Sequence, residues 1–212
     1  WGQQQPGWIT SLPPEEQLAE IREWMAEVAA RYPDLNLVEV LNEPMNAAPP
    51  YREALGGAGE TGFDWIITAF ELGREYFPNA KLILNEFNVM VDDGLTTNYL
   101  NIINLLKERN LIDGIGEQAH FYERTNPEVI AANLDRLAAT GLPIYISEFD
   151  LNLANDADQA NVMKNLFSVF WDHPSVAGVT HWGHLEGSIW RGNAYLIRAA
   201  GTTRPALDSL VC

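Results

Sequence analysis

The chain alternates between short runs of strand formers and longer segments whose apolar residues recur at helical spacing, and it does so five times. Leu37 to Leu41, Lys81 to Leu84, Gly114 to His120, the run opening at Ile144, and Val176 to His181 read as strands. Helical spacing appears through Leu18, Ile21, Met25 and Val28, then Phe63, Ile66, Ile67, Phe70 and Leu72, then Tyr99, Ile102, Ile103 and Leu106. It returns through Val129, Ile130, Leu134 and Leu137, and through Val162, Leu166, Val169 and Phe170. Pro13-Pro14-Glu15-Glu16 opens the first helix, because proline fits the first turn and acids favour its positive end. Tyr32-Pro33, Phe77-Pro78, Gly141 and His173-Pro174 are stop signals, and a final helix is expected from Pro205 to Val211. Strands separated by helices pair in parallel through right-handed crossovers. Spacings of roughly 30 to 45 residues suit repeated β/α units. This periodicity leaves two solutions: an open α/β sheet, or about the last five units of a (β/α)8 TIM barrel.

The strand ends separate them. In parallel β/α folds, ligands meet the carboxyl ends of strands. Here those ends read Asn42-Glu43, Asn85-Glu86, Gln118 to His120, Glu148 to Asp150, and His181-Trp182. One such glutamate would be read as a helix cap or a surface charge. Five polar ends in a row favour a site and the barrel. Two glutamates at strand ends are the parts for glycosidic bond cleavage: one carboxyl protonates the leaving oxygen, and the other attacks or stabilises the sugar cation.

The constellation resembles glycoside hydrolase family 10, the retaining endo-β-1,4-xylanases, over essentially the whole chain. Trp1-Gly2-Gln3-Gln4-Gln5-Pro6-Gly7-Trp8 looks like that family's segment after its third strand, and Leu84-Asn85-Glu86-Phe87-Asn88 like the end of its fifth. Gly114-Ile115-Gly116-Glu117-Gln118-Ala119-His120 is similar to the sixth, Ile146-Ser147-Glu148-Phe149-Asp150 to the seventh, and Gly178-Val179-Thr180-His181-Trp182-Gly183 with Trp190 to the eighth. The resemblance implies Glu148 as nucleophile and Glu43 as acid/base, about 5 to 5.5 Å apart as retention demands. It implies Asn42 on the sugar 2-hydroxyl, His120 donating to Glu148, and Asp150 holding the other ring nitrogen and so the tautomer. Asn85 and Gln118 would be sugar ligands, with Trp8, Trp182 and Trp190 as stacking walls. The implied substrate is xylan, the implied compartment extracellular, and no cofactor or metal is required.

The sequence departs from the family pattern in places. Gly2 stands where a histidine usually follows tryptophan, and Glu86-Phe87 where Asp-Tyr is common. Leu185-Glu186-Gly187 follows the last strand where Thr-Asp or Trp-Asp is more frequent, and His181 and His184 flank Trp182. The expected organisation is one catalytic domain over residues 1–212, N-terminally incomplete, with a missing front segment or self-association completing the barrel. Of the seven tryptophans, Trp24, Trp65 and Trp171 sit at helical positions and are expected to pack, and Gly56-Gly57-Ala58-Gly59 is expected as a flexible loop tip.

Composition narrows the remaining classes. A formal charge of -16 argues against a nucleic-acid partner, which needs clustered Lys and Arg, whereas a neutral polysaccharide is not repelled. The single cysteine, Cys212, gives neither a disulfide framework nor a CxxC metal pattern. No apolar run approaches the roughly 20 residues of a membrane span. Three other readings remain: a β-glucanase or mannanase, a non-catalytic carbohydrate-binding remnant, and a metal hydrolase using His120, His181, His184 and an acid, which lacks HxH or HExxH spacing.

Overall fold

The computed structural model describes residues 5–210. Five strands, β1 (Leu37–Asn42), β2 (Lys81–Glu86), β3 (Gly114–Glu117), β4 (Ile144–Phe149) and β5 (Val176–His181), form a sheet in the order of the sequence. Five helices alternate with them: α1 (Pro14–Arg31), α2 (Asp64–Tyr76), α3 (Asp93–Lys107), α4 (Pro127–Ala138) and α5 (Asp156–Trp171). This is the pattern of five consecutive units of a (β/α)8 barrel. No helix among the described residues is long and apolar enough to cross a membrane.

Contacts divide the chain into two compact units. The first runs to Glu86 and includes Tyr99–Gly116; the second holds Phe87–Asn98 and the chain from Glu117 onward. In the first unit, β1 and β2 pair in parallel from Leu37 with Lys81 to Asn42 with Asn85, with a register slip between Glu39 and Leu41. Leu82, Ile83 and Leu84 are buried on both faces of β2, as a strand covered by helices requires. Ile66 and Phe70 of α2 and Ile102, Ile103 and Leu106 of α3 are buried with them. Tyr99 ties β2 to β3, its hydroxyl lying 2.7 Å from Leu84 O and 2.8 Å from Gly116 O. In the second unit, β4 and β5 pair in parallel, with the register slipping between Ile146 and Phe149, beside Glu148. Such irregularities re-aim side chains at strand ends. Ile144, Ile146 and Phe149 are buried in this unit, as are Ile130, Leu134 and Leu137 of α4 and Met163, Leu166 and Phe170 of α5. Asn126 caps α4 by accepting from Glu128 N–H, and Asn155 caps α5 by accepting from Ala157 and Asp158 N–H.

Several local expectations need correction. β3 stops at Glu117, not at His120, because Ala119 and Phe121 adopt left-handed conformations with φ of 59° and 65°. The segment expected as a last helix is a 3-10 turn, Pro205–Leu210, and Val211 lies outside the described residues. That turn starts directly after Arg204, which is fully buried. Gly56 to Gly59 is a hydrogen-bonded turn: Gly56 N–H donates to Glu53 O, and Gly57 O accepts from Trp65 N–H. Trp65 is buried, but Trp24 and Trp171 are 61% and 70% exposed. Trp171 lies one residue, about 100° of helix rotation, past the inward Phe170, and stacks on Phe167 instead.

Candidate active site

Each unit carries one cluster of the expected residues at its strand ends. In the first, Asn42 closes β1 and Glu43 follows it in a left-handed conformation, φ 57°. The turn is held by backbone: Glu43 N–H donates to Asn85 O at 2.8 Å, and Glu43 O accepts from Asn46 and Ala47 N–H. A side-chain relay runs parallel to it. Asn85 Nδ2 donates to Asn42 Oδ1 at 2.9 Å, and Asn42 Nδ2 reaches Glu43 Oε1 at 3.4 Å. Asn85 is wholly buried and backs Asn42.

Glu86 was noted only as a departure from the family pattern, yet it supports this cluster. Its buried carboxylate accepts from Met45 N–H at 2.8 Å and from Asn46 Nδ2 at 2.9 Å, fixing the loop that leaves Glu43. Gly116 is required beside it. A Cβ there would stand 2.5 Å from Asn85 Oδ1 and 2.9 Å from Leu84 O, closer than real contacts allow. Trp8 does not join this group. It lies on the 3-10 turn Gly7–Ser11 and lines a groove of about 440 Å³ with Ile21, Trp24, Tyr51 and the acids Glu20, Glu23 and Glu27. Gly2, whose departure bears on this segment, lies outside the described residues.

The second cluster is built on β3, β4 and the loop after β5. Glu148, with a side chain 12% exposed, has Oε2 3.2 Å from His120 Nε2. His120 Nδ1 stands 3.1 Å from Asp150 Oδ1, at ion-pair distance but off the line of a hydrogen bond. Burial alone would keep His120 uncharged; Asp150 and Glu148 outweigh it and raise the ring from 6.5 to about 9. Gln118 is buried, and its carbonyl accepts from Glu148 N–H at 3.2 Å, so its backbone aligns the strand end. Trp190 and Trp182 are half exposed, and Trp182 N–H donates to Phe149 O. The Trp190 indole Nε1–H donates to Asp150 Oδ2 at 2.9 Å, and its ring meets His120 edge-on at 4.8 Å.

The left-handed turns that end β3 belong to this cluster. They cost roughly 1–2 kcal/mol per non-glycine residue, and Glu117 offsets part of that. Its buried carboxylate accepts from Ala119 N–H at 3.1 Å and from the Tyr122 hydroxyl at 2.5 Å. Phe121 thereby faces Trp190 edge-on at 5.8 Å and Phe87 at 6.1 Å, widening the aromatic wall.

Sequence reasoning missed the cation of this cluster. Arg191 Nη1 lies 2.6 Å from Asp150 Oδ1, its Nη2 lies 2.7 Å from Glu123 Oε1, and its guanidinium sits 4.6 Å from the Phe121 ring centre. Its adjacency to Trp190 was the only signal. His181, at the end of β5, has both ring nitrogens buried without a hydrogen-bond partner, and burial lowers its pKa. Among the described residues, no group of three or more His, Cys, Asp or Glu could hold a metal ion.

Comparison with known proteins finds relatives for this chain. The sequence profile of Glycosyl hydrolase family 10 matches residues 1–211. Endo-1,4-beta-xylanase B of Cellvibrio japonicus is 36% identical over all of this chain, which spans 34% of that protein. Endo-1,4-beta-xylanase B of Thermotoga neapolitana is 30% identical over 90% of this chain, which spans 58% of that protein. The crystal structure of xylanase 10B from Thermotoga petrophila in complex with xylobiose covers the whole chain with a TM-score of 0.84 at 26% identity, and the chain covers 70% of it.

Proposed function

The chain belongs to glycosyl hydrolase family 10, and on that footing we propose that it cleaves internal β-1,4-xylosidic bonds of xylan with retention, Glu148 attacking the anomeric carbon and Glu43 exchanging the proton. The observation that carries this reading is the Glu148 carboxylate held at the end of β4 by His120, beside a half-exposed Trp190. A partly buried carboxylate fixed by a hydrogen bond is held in one orientation for attack, and a nearby indole can stack on the sugar ring. In the first half-reaction, Glu43 protonates the departing glycosidic oxygen while a bond forms from Glu148 to the sugar. In the second, Glu43 takes a proton from water, which displaces Glu148. Asn42 supports the reading because its amide stands beside Glu43, where a 2-hydroxyl contact strengthens in the transition state.

The relatives are named as endo-1,4-beta-xylanases, and one solved neighbour was captured with xylobiose, which supports xylan as the substrate. The family fold is a (β/α)8 barrel, and five of its strands lie in this chain. Further β/α units or a second copy would complete the substrate cleft; size-exclusion chromatography of an active sample tests the latter. A polymeric substrate cannot cross a membrane, which supports an extracellular location, tested by assaying culture supernatant against cell lysate.

The deciding experiment is reducing-sugar release from xylan with Glu148→Ala alongside. Turnover should fall at least about 10⁴-fold in the variant, the scale of losing a nucleophile. Comparable activity in the two would remove Glu148 from the mechanism. Glu43→Ala should impair xylan far more than aryl xylosides with good leaving groups, which need no proton. Equal losses on both substrates would contradict its role as the acid.

A further inference from the structure

The acidic groups around Glu148 outnumber what His120 can neutralise. Facing the ring within its own unit are Glu148 in β4 and Asp150 just after it; beyond them Arg191, from the loop after β5, pairs with Asp150 and with Glu123 of the turn Tyr122–Arg124, and His181 at the end of β5 feels the Asp150 charge. Asp150 is wholly buried and its two oxygens are taken, Oδ1 by Arg191 at 2.6 Å and Oδ2 by the Trp190 indole at 2.9 Å. His120 Nδ1 approaches Oδ1 as well, but from the longer distance and at a poor angle. The arginine, not the histidine, therefore has the better geometry on this carboxylate. Its other branch is fixed on Glu123, which also accepts from Asn152 N–H at 2.6 Å, and its planar face lies against Phe121. A fork held at both tines and on one face cannot swing away from Asp150.

We propose that Arg191 is a positioning residue which, by neutralising and pinning Asp150, governs the proton on His120 and so the orientation of the Glu148 carboxylate. The inference rests on the nucleophile role given to Glu148 above and extends it to a residue outside the Glu148, His120 and Asp150 line. It follows that Arg191 sets the nucleophile's environment and the Trp190 wall together, since the Asp150 charge faces His120 at ion-pair distance and its other oxygen holds the indole.

The test is an NMR titration of the His120 ring carbon in substrate-free full-length protein, assigned with His120→Gln, for wild type and three variants. In Arg191→Met the uncompensated Asp150 should raise the His120 midpoint by about one pH unit or more. In Arg191→Lys the charge remains and the midpoint should stay near wild type, while KM for xylo-oligosaccharides rises because the fork no longer braces Glu123 and the aromatic wall. Glu123→Gln is nearly isosteric and guards against misfolding of the methionine variant. It leaves Arg191 with Asp150 as its one anionic partner and should lower the midpoint by about half a unit. A folded Arg191→Met with an unmoved midpoint would reduce Arg191 to a packing role, and so would a Glu123→Gln midpoint that stays or rises. The titration needs no turnover, so an inactive enzyme would sink the xylanase reading without touching this one. A fully active enzyme with unmoved midpoints would sink this one alone.

Discussion

At the scale of single residues, the candidate site is backed by buried polar groups, among them Asn85, Glu86, Glu117 and Asp150. Gly116 shows how little slack there is. Gly116→Ala places a methyl 2.5 Å from Asn85 Oδ1, so the relay through Asn42 to Glu43 must shift. The expected cost is about 1–3 kcal/mol of stability, measured by urea denaturation, with a loss of turnover larger than stability alone explains. His120 carries the pH dependence. Its folded pKa, about 9, lies above the ordinary 6.5, so its stabilisation is complete below pH 6.5 and fades as pH rises through 9. Melting temperature should therefore drop across that window, and His120→Gln should flatten the drop. Glu43, Glu148, His120 and Asp150 were legible because strand ends in β/α folds display their residues. Arg191 and Glu123 were not, because the contacts of Arg191 with Asp150 and with Glu123 join segments far apart in sequence. Ala119 and Phe121 hid a different fact: neither is glycine, so nothing in their identity announces left-handed backbone.

At the scale of elements, the apolar spacing sufficed for the five strands and five helices, since each must bury one stripe or one face. It failed where a side chain's polarity overrules local preference. Arg204 is the clearest instance. It is fully buried, with Nε 2.7 Å from Asp156 Oδ1, Nη1 2.6 Å from Asn193 O, Nη2 2.7 Å from Leu153 O, and its guanidinium 4.8 Å from the Tyr195 ring centre. Asp156 opens α5 and also pairs with Arg198, so one helix start organises the segment that follows β5. Arg204→Met strands those carbonyls and should cost about 3 kcal/mol, read from the chemical denaturation midpoint. Asp156→Asn should cost less, because its side chain is 38% exposed and water can replace part of the pairing.

For the whole molecule, the formal charge of -16 sets how it meets its surroundings. The backbone of the proposed substrate, xylan, is uncharged, so its binding would release few counterions. KM should change less than about twofold between low and high salt, in contrast to the steep dependence of proteins that bind polyanions. A strong salt dependence would point to a charged polymer instead. Fold class was legible from order and spacing, which are properties of the chain as a series, and the family from the resemblance carried by the strand-end motifs. The cation hidden behind Trp190 and the buried Arg204 were not, because each exists only once distant segments have closed around it. Arg204 also has a practical consequence. The segment after β5 is fastened by a guanidinium ion, so guanidinium chloride floods the solution with free copies of the fastener. That denaturant should loosen the C-terminal segment, seen as early proteolytic clipping, well before the cores melt, whereas urea at matched denaturing strength should leave segment and cores to go together.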